Sequence, residues 1–144
     1  MLDLDLTRHF DAPPEQVFRA VTDPAMLAQW WGPEGITVES GDLDFTRTGP
    51  WGSVMINAEG GRFKVTGHVT HVDAPHSVGF TWAWHDEADA RGAESHVTFN
   101  IEAATDGGTT FRLEHRDLPD DDAAANHNQG WTSSLRKLDA IFAS

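Results

Sequence analysis

The sequence lacks cysteine and tyrosine over its 144 residues. The absence of cysteine excludes disulfides, thiolate nucleophiles and cysteine-based zinc sites, and it suits a reducing compartment. No apolar run approaches the ~18 residues that a membrane-spanning helix needs. No amino-terminal stretch resembles a signal peptide. We therefore expect a cytoplasmic protein.

Positive charge is also scarce. Ten Lys and Arg residues stand against 23 Asp and Glu residues, which gives a net charge of −13. Phosphate contacts need clustered Lys and Arg, so the balance argues against a nucleic-acid partner. It argues equally against binding to anionic membrane surfaces. Solubility is the simplest explanation of the acidic excess.

Tryptophan and phenylalanine are plentiful by contrast, with six and eight copies. A chain of this length suits one domain, residues 1–144, that buries about two-thirds of its unfolded surface. Tryptophan is large and rarely wholly buried, so several copies in one small domain indicate a cavity wall or a contact surface.

The carboxy-terminal stretch from Asp120 to Ser144 predicts an amphipathic helix. Three aspartates, Asp120 to Asp122, stand where negative charge favours a helix start. At helical spacing one face, within roughly 120° of arc, collects His127, Trp131, Ser134, Leu135, Leu138, Ile141 and Phe142. Most of this face is apolar, so His127 and Ser134 raise the question of function.

Upstream of that helix, alternating apolar residues predict strands. These strands cover 2–10, 36–38, 51–58, 62–73, 78–84, 97–101 and 111–115, with a weaker segment around Leu43 and Phe45. Pro13-Pro14 and Asp23-Pro24 each open a short helix between the first two strands. Tight turns at Glu59-Gly60-Gly61 and Asp106-Gly107-Gly108 make their flanking strands antiparallel, and 85–94 forms a loop.

These elements predict an α+β architecture. An antiparallel sheet with one apolar face needs a cover, and the terminal helix is the only element large enough. We therefore expect a curved sheet of about six to seven strands wrapped around that helix, with the two short helices at one end.

Three stretches resemble a known family. They are Pro14-x-x-Val17-Phe18-x-Ala20-x-Thr22-Asp23-Pro24 running into Trp30-Trp31-Gly32-Pro33, then Gly67-x-Val69 to Pro75 with Phe80-Thr81-Trp82, and last His115 with His127-x-x-Gly130-Trp131-x-x-x-Leu135-x-x-Leu138. The chain is similar to the activator-of-Hsp90-ATPase-homologue-1-like family, within the helix-grip superfamily of START-like, Bet v 1-like and polyketide cyclase-like domains. The resemblance implies a cavity between sheet and terminal helix, lined by inward-facing strand residues, and a link to stress responses.

The candidate site is a set of aromatic residues and histidines facing that cavity. We predict ligand contacts from Trp30, Trp31, Phe45, Trp51, Phe63, Phe80, Trp82, Trp84, His115, His127 and Trp131. Because Trp30 and Trp31 are adjacent, they are not expected to be buried in the same way, and one is a candidate for an exposed partner or lid contact. Trp131 either lines the cavity or fills the core.

Two interpretations remain open for the histidines. Alternation on the last strand points His115 toward the terminal helix and His127. The two imidazoles can bind a ligand carboxylate or hydroxyl, or serve as general acid and base. Alternatively they are core histidines hydrogen-bonded to the protein. Catalysis is the least favoured use, and no catalytic residue is assigned.

Metal and cofactor sites are not expected. The pair His68 and His71 lies on a strand, where its odd spacing predicts opposite faces, and the other histidines lack ligand spacing. No glycine-rich loop between strand and helix offers a nucleotide cradle. Ser133 and Ser134 lack the strand-to-helix setting of a nucleophile.

The leading hypothesis is therefore a non-enzymatic binder of a small hydrophobic or aromatic ligand, as a monomer or weak homodimer. The second, implied by the resemblance, is an interaction protein that stimulates an Hsp90-type ATPase, although we expect no separate amino-terminal module of the kind that larger activators carry. The third is a cyclase or hydrolase using His115 with His127 or Arg47.

Overall fold

The computed structural model describes residues 2–32, 35–39 and 43–142. In chain order the elements are β1 (Leu2–Phe10), α1 (Pro14–Ala20), α2 (Pro24–Trp30), β2 (Thr37–Glu39), β3 (Gly49–Ile56), β4 (Arg62–Asp73), β5 (Ser77–Trp84), β6 (Ser95–Ala103), β7 (Thr109–Leu118) and α3 (Asp121–Phe142). The expected α+β helix-grip architecture is confirmed, because a curled antiparallel sheet carries α3 on its inner face.

The sheet has seven strands in the order β1-β7-β6-β5-β4-β3-β2. Two predicted hairpin turns are confirmed. Asn57 Oδ1 accepts the Gly61 N–H at 2.7 Å, and Asp106 Oδ1 accepts the Gly108 N–H at 2.9 Å. Gly60 and Gly107 adopt positive φ angles of 84° and 88°, a conformation that favours glycine. The first strand of the chain, β1, pairs with the last, β7. Local sequence patterns could not predict this pairing, because it joins distant parts of the chain.

Helix α2 delivers two tryptophans to the core. Asp23 Oδ1 accepts the Ala25 N–H at 2.9 Å and so caps the helix. Trp30 ends the helix, and Trp31 follows in an extended conformation with φ −64° and ψ 131°. The prediction that one of them would be exposed is wrong, since Trp30 is 0% and Trp31 1% exposed. The change of backbone conformation between them sends adjacent side chains to two places in the same core.

Helix α3 confirms the predicted amphipathic helix. It begins where Asp120 Oδ1 accepts the Ala123 N–H at 2.8 Å. Its buried residues are Trp131, Ser134, Leu135 and Leu138, all on the predicted face. No helix within the described ranges is long and apolar enough to cross a membrane.

A β-bulge corrects the prediction for His68 and His71. The pairing of β4 with β5 shifts register between Val69 and His71. The extra residue in β4 turns the His71 side chain to the same outer face as His68. Both histidines are therefore exposed rather than on opposite faces of the sheet. The weaker segment around Leu43 and Phe45 forms no strand, and yet both side chains are buried in the core.

Candidate functional site

A pocket lies between α3 and the inner face of β3, β4 and β5. Its volume is ≈ 360 Å³, within the range of small-molecule sites. The aromatic part of its wall consists of Trp31, Phe63, Trp82, Trp84 and Trp131. The rest of the wall is formed by Gly32, Met55, Asn126, His127, Gly130 and Ser134.

Strand alternation and helical spacing place these side chains together. Trp82 and Trp84 are two residues apart on β5 and share a face, with ring centroids 5.3 Å apart. Met55 and Phe63 are register partners on β3 and β4. The four therefore make a wall that crosses three neighbouring strands, and α3 faces them with His127, Trp131 and Ser134, spaced by about one helical turn.

Two aromatic residues of the pocket wall reach the surface of the protein. Phe63 is 45% and Trp84 37% exposed, and they are the exposed large hydrophobic residues of the described chain. Single exposed apolar side chains are ordinary, whereas here two of them lie beside one concave surface.

Behind the pocket the aromatic residues form a packed cluster around Trp31. The Trp31 ring centroid lies 5.6 Å from that of Phe45, 5.8 Å from Trp51 and 5.7 Å from Trp131. Phe45 also stacks on Phe80 at 4.2 Å. This cluster fills the end of the fold near α2 and confines the open space to the side of Phe63 and Trp84.

The β7 histidine, His115, is a buried neutral group. Its Nδ1 accepts the indole N–H of Trp131 at 3.0 Å. Because an indole nitrogen only donates, Nδ1 carries no proton. Nε2 therefore carries it and donates to Ser95 Oγ at 2.7 Å. Burial lowers the pKa of His115 to about 3, with smaller contributions from the nearby His127 and His96.

His127 lies at the pocket wall, with its ring centroid 4.5 Å from that of His115. Its Nε2 accepts the indole N–H of Trp84 at 3.2 Å, which places the remaining proton on Nδ1. Burial lowers the pKa of His127 to about 4. Both imidazoles are therefore uncharged at neutral pH.

The six indole N–H groups divide into two classes. Four have acceptors: Trp30 donates to Ala20 O, Trp51 to Thr81 O, Trp84 to His127 and Trp131 to His115. The buried Nε1 atoms of Trp31 and Trp82 have no acceptor among the described residues. A buried donor without a partner costs about 1–3 kcal/mol. Both of these rings line the pocket.

Comparison with known proteins identifies the family. The sequence profile of the activator of Hsp90 ATPase homolog 1-like proteins (AHSA1) matches residues 11–143. The chain belongs to this family. No curated protein matches the sequence.

Several solved structures resemble the chain over nearly its whole length. The AHSA1 protein of Silicibacter pomeroyi is 57% identical, with a TM-score of 0.94 over 99% of this chain and 98% of that one. A protein from Chromobacterium violaceum is 25% identical, with a TM-score of 0.87 over 99% and 98% of the two chains. The CalU16 protein of Micromonospora echinospora, 21% identical with a TM-score of 0.70 over 98% of this chain and 76% of its own, shares the fold.

The pocket of this AHSA1-like chain contains part of the residue set predicted from sequence. The predicted residues that line it are Trp31, Phe63, Trp82, Trp84, His127 and Trp131. The predicted residues that lie in the buried core and form no part of the pocket wall are Trp30, Phe45, Trp51, Phe80 and His115. Sequence reasoning missed Gly32, Met55, Asn126, Gly130 and Ser134. Of these, Gly130 and Ser134 carried a signal, since both lie beside His127 and Trp131 at helical spacing.

One group of side chains in the described part of this family member brings three possible metal ligands close together. His9, Asp11 and Asp106 bring their ligand atoms within 4.8 Å of one another. The end of β1 meets the β6–β7 turn there, so sequence spacing could not reveal it. All three are exposed, and His9 Nε2 lies 3.0 Å from Asp106 Oδ2, a polar contact at the surface.

Proposed function

We infer that this protein binds a small, flat, hydrophobic molecule in the pocket between its sheet and α3. The observation that carries this function is the position of Phe63 and Trp84. These exposed aromatic residues flank a concave surface instead of being scattered over the molecule. A pocket with mostly aromatic walls and a few polar groups is typical of sites for small organic ligands.

The state of the histidines favours binding over catalysis. A general base works best with a pKa near the operating pH, whereas burial lowers the pKa of His115 to about 3 and that of His127 to about 4. Both His115 nitrogens are already hydrogen-bonded. The Arg47 side chain is 83% exposed, lies 3.7 Å from Asp44 and is not part of the pocket wall.

Ligand titration tests this function. A panel of neutral aromatic compounds is added while tryptophan fluorescence and the melting temperature are followed. We expect at least one compound to quench the fluorescence and raise the melting temperature, because a ligand of the native state stabilises it.

A matched pair of variants locates the site. Phe63→Ala removes an exposed wall and should weaken binding about tenfold or more, as expected for losing an aromatic contact. Lys64→Ala changes the next residue of β4, which points to the other face, and should leave the affinity unchanged. Equal loss in both variants, or no response to any compound, counts against the proposed function.

Family membership gives a second candidate, an interaction protein that stimulates an Hsp90-type ATPase. The exposed Phe63 and Trp84 offer a partner an apolar contact on an otherwise acidic molecule. The assay is the ATPase rate of a purified Hsp90-type protein with and without this chain. Stimulation that Phe63→Ala abolishes supports this function, and an unchanged rate argues against it.

A further inference from the structure

We propose that His127 is a positioning residue of the pocket, because its Nε2 accepts the Trp84 indole N–H and thereby holds this exposed ring in place as a wall for the ligand. The inference rests on the proposed ligand-binding function and names the residue on which the shape of that site depends. It also makes the site sensitive to acid, since the hydrogen bond requires an uncharged His127.

Trp84 has few ring contacts that would fix its position. It is the last residue of β5, and the loop at 85–94 follows it. The residue is 37% exposed, and its described ring contacts are with Trp82 at 5.3 Å and His127 at 6.0 Å between centroids. An exposed side chain at the end of a strand has several rotamers available, so a hydrogen bond at its far edge selects among them.

The acceptor of that bond is anchored to the core. The His127 ring packs edge-to-face against two buried rings, with centroids 5.5 Å from Trp82 and 4.5 Å from His115. His115 is itself held by hydrogen bonds at both ring nitrogens. The bond of 3.2 Å from Trp84 to His127 therefore ties an exposed ring of the sheet to a fixed group on α3.

Ordering the Trp84 ring before a ligand arrives raises the affinity of the pocket. Trp84 and His127 both line the pocket, so a ligand that enters it meets a wall set by their hydrogen bond. Without the bond, the ligand has to order the Trp84 side chain as it binds, and that ordering reduces affinity. His127 thus acts on the ligand through Trp84.

The hydrogen bond exists in only one protonation state of His127. An indole nitrogen only donates, and an imidazolium carries an N–H at both ring nitrogens, so protonated His127 cannot accept from Trp84. Burial lowers the pKa of His127 to about 4. The bond is therefore intact at neutral pH and is lost as the pH falls through about 4.

The groups packed around His127 do not take up protons before it. β5 faces it with Trp82 and Trp84, which do not titrate, and β7 faces it with His115, whose pKa is lower, at about 3. On α3 itself the nearest charged residue in sequence is Asp122, which is exposed in the first turn. No Asp, Glu, Lys or Arg lies among the described residues of the pocket wall.

Matched variants of α3 test the positioning role by calorimetry at pH 7.5, with 2-acetylnaphthalene as the probe. His127→Leu keeps a side chain of similar size without an acceptor, and it should weaken binding about threefold to tenfold, the range expected for ordering one side chain. His127→Gln keeps an acceptor oxygen and should restore most of the affinity. Gln129→Leu makes the same kind of change at an exposed position outside the pocket and should bind like the wild type.

A double-mutant cycle isolates the hydrogen bond itself. Trp84→Phe keeps an aromatic ring and removes the donor. In that background His127→Leu should no longer change the affinity, because the bond that it would break is already absent. A full additional loss in the double variant overturns the inference, since His127 would then act independently of Trp84.

The Trp84 indole N–H resonance reports the bond without any ligand. In the wild type we expect the signal to move with a midpoint near pH 4, and this titration stands alone if a variant fails to fold. His127→Leu should shift the signal toward that of a free indole at pH 7.5.

The outcomes separate the two proposals. A Trp84 signal that stays in place down to pH 4, or equal affinity of wild type and His127→Leu, overturns this inference and leaves the ligand-binding function intact. Failure of 2-acetylnaphthalene to bind the wild type counts against the proposed function, and against this inference with it.

Discussion

Trp30 and Trp31 are adjacent, both buried, and chemically identical, but their N–H groups have different surroundings. Trp30 donates to Ala20 O, whereas Trp31 has no acceptor among the described residues. Sequence reasoning treated one of them as a candidate for an exposed partner or lid contact, whereas both are buried. It could not predict their separate roles, because those depend on the turn of backbone at Trp31 and on the residues that surround each ring.

The two tryptophans should differ in their contribution to stability. Trp30→Phe leaves Ala20 O without its partner, whereas Trp31→Phe removes a donor that has none. The loss of volume is the same in both. We expect Trp30→Phe to lower the free energy of unfolding by about 1–2 kcal/mol more than Trp31→Phe, measured by urea denaturation. The reverse order would contradict the hydrogen-bond assignment.

Gly67 on β4 leaves room for the Trp51 indole, whose N–H donates across this strand to Thr81 O on β5. A Cβ at Gly67 would lie 2.0 Å from Thr81 O and 2.6 Å from Trp51 Nε1. Gly67→Ala should therefore destabilise the fold by about 3 kcal/mol or more, the upper range of overpacking. The control is Gly52→Ala on β3, where the nearest atom to a Cβ is Thr66 Cγ2 at 3.5 Å. A similar melting temperature for the two variants would contradict the requirement for glycine at Gly67.

At the scale of elements, tight turns made the sheet predictable. Glycines at Gly60 and Gly107 set the hairpins, and alternation on either side set which residues face inward. The bulge between Val69 and His71 was beyond such reasoning, because nothing in the local pattern announces one extra residue in β4. Phe45 shows a second limit of strand patterns, since it is buried in the core although it belongs to no strand.

The contact between β7 and α3 makes stability depend on pH. His115 and His127 have pKa values of about 3 and 4 in the folded state, below the ordinary value of about 6.5. The unfolded chain therefore takes up protons first as pH falls. The stabilisation is complete above pH 6.5 and is lost progressively toward pH 4 and 3.

A variant isolates this effect. His127→Asn keeps an acceptor for the Trp84 N–H but cannot titrate. Its loss of unfolding free energy between pH 7 and pH 5 should be smaller than that of the wild type by about 1–2 kcal/mol. Asn128→Ala, exposed on the same turn of α3, should follow the wild-type profile. Parallel profiles for wild type and His127→Asn would contradict the burial of a neutral imidazole.

At the scale of the whole molecule, the sequence predicted the curled sheet, its helix cover and an aromatic site between them. It did not predict which of the inward-facing residues on each strand border the open pocket. Alternation identifies Phe80 and Trp82 as inward-facing residues of β5, but only Trp82 reaches the pocket. That difference is set by the aromatic cluster around Trp31, which packs on Phe80 and fills the end of the fold near α2.

The claim that this pocket binds a small aromatic ligand is tested most directly by the indole N–H resonances of the six tryptophans. In a nitrogen–proton correlation spectrum, addition of a neutral aromatic compound such as 2-acetylnaphthalene should shift the signals of Trp31, Trp82, Trp84 and Trp131, whose rings line the pocket. The signal of Trp30 should stay in place. A spectrum in which no indole signal moves, or in which Trp30 moves while Trp31 and Trp82 do not, would contradict the account.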